Sequence, residues 1–153
     1  MPGEDAKERL DRELLELLNE LRVAIPGVQV LFAFLLTVPF TQRFARVTEF
    51  QQDVYLTTLL CSAVASALLI APSAYHRLRF RQKDKQQMLE TSNRLAIAGL
   101  TFLAFAITGV VLLITDVLFK SATVIVVTSG VALLFAGTWY LLPLSRKARS
   151  EEP

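Results

Sequence analysis

The side chains able to do chemistry are few in this sequence, and their spacing builds no reaction centre. His76 is the only histidine and Cys61 the only cysteine among 153 residues. A zinc or haem site needs several such ligands at set intervals, so two-histidine and cysteine-cluster motifs are out of reach. No P-loop and no Gly-x-Gly-x-x-Gly run is present. A serine–histidine–aspartate set would have to be gathered around His76 without any motif spacing. The residues therefore point to a chain that is not an enzyme, with no catalytic residue, no cofactor and no metal site. A single cysteine also forms no intrachain disulfide.

Ion movement is a more serious reading of the polar groups. Sodium and proton carriers place a carboxylate near the middle of the bilayer, where it is costly and functional. The nearest carboxylates here are Glu20, Asp53 and Asp116, each at the edge of an apolar run. A channel needs less, because several copies can line a path with hydroxyls and amides. Gln29 is the only amide well inside the first apolar run. Around the ends of the runs stand Glu20, Arg22, His76, Arg77, Asn93 and Arg94. These six and Gln29 are the candidate functional residues. A Glu20–Arg94 ion pair would tie the chain's first segment to its third apolar run. The alternative is arginines that each reach for lipid phosphates on their own.

Those residues are positioned by four stretches without Asp, Glu, Lys, Arg or His: residues 23–42, 54–75, 95–115 and 121–145. Hydrophobic residues make up 53 % of the chain, charged residues 20 %, and the mean hydropathy is +0.45. A hydrocarbon core about 30 Å thick is crossed by roughly 20 helical residues. Backbone in lipid must pair within its own segment, so such runs are helices. The expectation is an all-α, four-helix transmembrane bundle. Soluble enzymes, disordered chains and disulfide scaffolds are excluded by the same numbers.

Lys and Arg set the orientation. Thirteen of the 16 fall before the first run, between the second and third, or after the fourth. Cationic loops stay cytoplasmic, which places both termini inside, in a multi-pass protein of the inner (plasma) membrane. The predicted organisation is a cytoplasmic amphipathic helix over 1–22, a membrane domain over 23–145 and a cytoplasmic tail over 146–153. Residues 76–85 carry five basic side chains and one Asp. Each basic residue beside an anionic leaflet contributes about 1 kcal/mol, so the bilayer's anionic headgroups at the inner face are expected partners. Nucleic acid is not, because no reading module accompanies the charge.

Leu10, Leu14, Leu17 and Leu21 form a seam at steps of 4, 3 and 4, opposite Glu8, Arg12, Glu16, Asn19 and Glu20. The helix is acidic on balance, unlike a membrane-surface helix. Its seam either binds another protein or subunit, or folds back on this chain. Pairs Asp5–Arg9 and Glu8–Arg12 stand at i, i+4. Pro26-Gly27 marks the join to the first span, and Pro39 and Pro72 are expected to kink theirs. Thr58, Ser62 and Ser66 form one stripe, Thr101, Thr108 and Thr115 a second, and Thr123, Gly130 and Gly137 a third. Small and hydroxyl residues let membrane helices approach closely, so packing is the favoured reading over a lined path. A chain this small has little room beyond its own packing, so a homo-oligomer is expected.

Residues 16–40 (ELLNELRVAIPGVQVLFAFLLTVPF), 71–77 (APSAYHR) and 93–99 (NRLAIAG) together resemble an uncharacterised family of small bacterial four-span integral membrane proteins. The likeness covers about residues 10–142. Some members resemble proteins labelled sodium:proton antiporter. The resemblance implies that the segment Glu20 to Gln29 and the segment Tyr75 to Arg77 are where function lies, and it supplies no catalytic or binding roles.

Overall fold

The structure, a computed structural model, describes residues 2–79, 85–119 and 121–141. It is all-α: α1 (Pro2–Thr37), α2 (Glu49–Arg79), α3 (Lys85–Leu118) and α4 (Ser121–Ala136). Short 3-10 turns at Val38–Phe40 and Phe44–Arg46 lead from α1 to α2, and one π-helical turn, Gly137–Leu141, follows α4. Four helices are long and apolar enough to cross a membrane. The expected fold class and helix count hold, and the chain is a multi-pass membrane protein.

The boundaries differ from those expected, for a common reason. The amphipathic segment and the first span are one helix of 36 residues that runs through Pro26 without a break. At 1.5 Å per residue that is about 54 Å, well beyond the ~30 Å hydrocarbon core. Proline removes one hydrogen bond, to the carbonyl four residues earlier, and the turns on either side retain theirs. Similarly, the connection expected over 76–93 is mostly helix, because α2 continues to Arg79 and α3 begins at Lys85. Charged side chains interrupt hydropathy without interrupting helix. The expected fourth span, 121–145, gives up α-helical form at Gly137. The tail, Arg81, Lys83 and Lys120 lie outside the described residues.

Two compact units share the chain. The first takes in Met1–Ala45 and Leu59–Leu103, the second Arg46–Thr58 and Ala104–Pro153. In the first, α1 buries Leu14, Leu21, Val28 and Leu35, one every seventh residue. A strict seven-residue repeat keeps one seam inward when helices wind slightly around each other. On α2, Ser62, Ala65, Leu69 and Pro72 are buried at steps of 3, 4 and 3. On α3 the buried set is Met88, Ser92, Ala96, Gly99 and Leu103. Gly99 is there because Leu69 leaves no room for more: an added Cβ would lie 2.8 Å from its side chain and 3.2 Å from its backbone nitrogen.

The leucine seam is thus covered by its own chain. Leu14 is 7 % and Leu21 3 % exposed, with Leu10 and Leu17 half-buried. The fold-back alternative is the one the structure contains. A protein partner at this helix would have to meet its other face, where Leu15 is exposed beside Glu16 and Glu20.

The second unit packs by the same means. Tyr55 and Thr58 of α2, Ala106 and Thr115 of α3 and Val124 of α4 are buried. A Cβ at Gly109 would overlap the Thr58 hydroxyl and lie 3.2 Å from Thr58 Cβ. Gln51 Nε2 donates to Asp116 Oδ2 at 2.9 Å. The fourth helix differs: among the described residues nothing lies within 4 Å of a Cβ added at Gly130 or Gly137, so neither glycine is required by a close approach there.

Candidate functional site

Most hydroxyls of the α2 and α3 stripes are satisfied locally, while Ser66 Oγ is buried with no partner among the described residues. Thr58 donates to Val54 O, Ser62 to Leu59 O, Thr101 to Ile97 O, Thr108 to Ala104 O and Thr115 to Val111 O, all at 2.7–2.8 Å. Such i−3 or i−4 bonds hide a hydroxyl from hydrocarbon on its own helix. These groups therefore serve close packing in this chain, as expected for α2 and α3.

Two of the seven candidates converge. Arg22 of α1 and Arg77 of α2 line one open cleft of about 410 Å³, together with Leu18, Ile25, Pro26 and Ser73. α1 contributes Leu18, Arg22, Ile25 and Pro26 to it, and α2 contributes Ser73 and Arg77. Arg22 immediately precedes the first uncharged run and Arg77 follows the second by two residues. Both residues thus flank uncharged runs. Neither has an ion-pair partner among the described residues. Among the described residues no carboxylate lines the cleft. Pro26 also lacks the N–H that would bond the Arg22 carbonyl.

The other candidates stay apart. Glu20 is exposed on α1, and Asn93 and Arg94 are exposed on α3 without lining the cleft. The expected Glu20–Arg94 ion pair is not formed: among the described residues the ion pair is Arg9 Nε to Glu13 Oε1, 3.0 Å, within α1. The side chain of Asp5, expected to pair with Arg9, is outside those described, and Glu8–Arg12 is not made among the described residues. Glu20 and Arg94 both point to solvent, where an ion pair gains little over hydration. His76 lies on α2, and its side chain is outside those described. Gln29 is exposed on α1, two turns from Arg22, and has no hydrogen-bond partner among the described residues.

Sequence reasoning missed Ser73, Leu18 and Ile25 as neighbours of the arginines. Ser73 stands four residues from Arg77, so one helical face was the available signal. It also missed the Gln51–Asp116 bond, which joins residues 65 apart. Among the described residues no group of three His, Cys, Asp or Glu could hold a metal ion.

No curated protein and no solved structure matches the chain. A family model does match, over residues 3–143, and its description names no transport activity. With nearly the whole chain matched, from the first turn of α1 past the end of the π-helical turn, the chain belongs to DUF6328, a family of unknown function.

Proposed function

We propose that this chain is a non-enzymatic membrane scaffold that works as a homo-oligomer, joined through the outer face of α1. Gln29 carries the reading. It lies six residues inside the first uncharged run, is exposed and has no hydrogen-bond partner among the described residues. Hydrocarbon offers it no water, and an unpaired amide there costs on the order of several kcal/mol. A carboxamide has two donors and an acceptor, so it pairs with its own copy across a two-fold axis, each giving and taking one bond. Pro26 and Ala33, one turn to either side, are exposed as well. The small Ala33 side chain favours close approach of a second helix.

The Lys and Arg distribution supports a setting in the inner membrane with the end that carries Arg22 and Arg77 on the cytoplasmic side. The test is disulfide trapping in membranes. In a Cys61→Ser background that keeps Gln29, Ala33→Cys, one turn away, gives a covalent dimer, while Phe34→Cys, further round the helix, gives none. Equal trapping at both positions, or none at Ala33→Cys, contradicts the reading. Ion flux in liposomes that depends on Gln29 would replace it with the alternative, a small oligomeric ion channel or sodium/proton transporter.

A further inference from the structure

We infer that the Arg22–Arg77 cleft is a binding site for one anionic phospholipid, its phosphodiester held between the two guanidinium groups. Two cations from different helices open into one space of about 410 Å³ with no carboxylate among its lining residues. Like charges so placed repel unless an anion lies between them. Guanidinium offers planar, forked donors that match phosphate oxygens two at a time. The volume falls in the ~300–1,000 Å³ range of small-ligand sites.

The order of residues along the cleft selects a lipid over a free anion. Arg22 and Arg77 border the uncharged runs, at the depth of lipid phosphates. One turn further into the membrane come Ile25, Pro26 and Ser73. There the serine hydroxyl meets the depth of the ester groups, and the two apolar side chains meet the start of an acyl chain. A soluble phosphate would use the arginines and leave that apolar half of the cleft unused. Arginines that merely snorkel would hold no particular lipid and would be interchangeable with Arg94, which is exposed and outside the cleft. The site shares Pro26 with the face proposed to assemble through Gln29, and it is tested separately from that assembly.

The experiment is native mass spectrometry of the full chain from detergent, titrated with phosphatidylglycerol or phosphatidylcholine. Variants are Arg22→Gln, Arg77→Gln, Arg94→Gln, Arg22→Lys and Gln29→Leu, each first checked for unchanged helical content. The expected result is one phosphatidylglycerol retained per chain in preference to phosphatidylcholine. Arg22→Gln and Arg77→Gln each weaken retention about fivefold or more. Arg22→Lys is intermediate, and Arg94→Gln and Gln29→Leu match the wild type. Equal loss in Arg94→Gln would mean general charge attraction and overturn the site. So would equal retention of both lipids. Displacement of the lipid by millimolar inorganic phosphate would overturn the lipid assignment in favour of a free-phosphate site. Loss of covalent dimer in the trapping experiment, with lipid retention intact, would overturn the assembly reading alone.

Discussion

The two ends of α2 treat their polar side chains in opposite ways. Near its start, Gln51 donates to Asp116 of α3, and the pair is partly buried. Near its end, Arg77 shares an open cleft with Arg22, and neither has a carboxylate partner among the described residues. The first arrangement closes the chain on itself. The second leaves charge directed at whatever fills the cleft. This difference between the two ends is what the proposed lipid site rests on. Gln29, exposed two turns above Arg22, extends that open region along α1.

The comparison can be broken most severely through the seam that holds α1 in place. Leu21 is 3 % exposed, and Leu21→Ala is expected to cost about 2–5 kcal/mol, as large-to-small core changes do. Leu15→Ala, on the exposed side, should stay within about 0.5 kcal/mol. Denaturant unfolding in detergent micelles measures both, and equal costs would mean the seam is not packed within the chain.

Next in size is the close contact in the second unit. Gly109→Ala forces a methyl group onto the Thr58 hydroxyl and should destabilise by about 1–3 kcal/mol. Adding Thr58→Ala should recover most of that loss. No recovery in the double variant would show that some other neighbour sets the limit.

The paired end is tested by Gln51→Leu, which strips Asp116 of its 2.9 Å donor. A loss of about 1–3 kcal/mol is expected from leaving a partly buried carboxylate unsatisfied. The smallest effect belongs to Arg9→Gln. Its ion pair with Glu13 joins side chains 81 % and 42 % exposed, and such i, i+4 pairs are worth only about 0.3–0.5 kcal/mol. Thermal unfolding at low and high salt would detect it, and a change above 1 kcal/mol would mean that Arg9 has a further role.

Much of the fold was legible because hydropathy reports spans directly. The inward face of α1 was legible over Leu10 to Leu21, where polar residues mark the other side. It was not legible over residues 23–37, because Gln29 and Thr37 are the only polar side chains there and only the continuing seven-residue repeat through Val28 and Leu35 extends the seam. Helix ends were misread where charge and proline were treated as breaks, at Pro26 and over 76–93. For the site, residue type was enough to single out Arg22 and Arg77, but their meeting depends on the α1–α2 register, which no local signal carries. Glu20 and Arg94 had the right charges for a pair and the wrong faces.

The central claim is that the outward amide of Gln29 joins copies of this chain. The direct measurement is Förster transfer between donor- and acceptor-labelled chains in liposomes, diluted stepwise with lipid, for the wild type and Gln29→Leu. The account predicts assembly in the wild type and association about five- to thirtyfold weaker in the variant, the size of one or two interhelical hydrogen bonds in a membrane. Identical dilution curves, from protein with matching thermal stability, would contradict it.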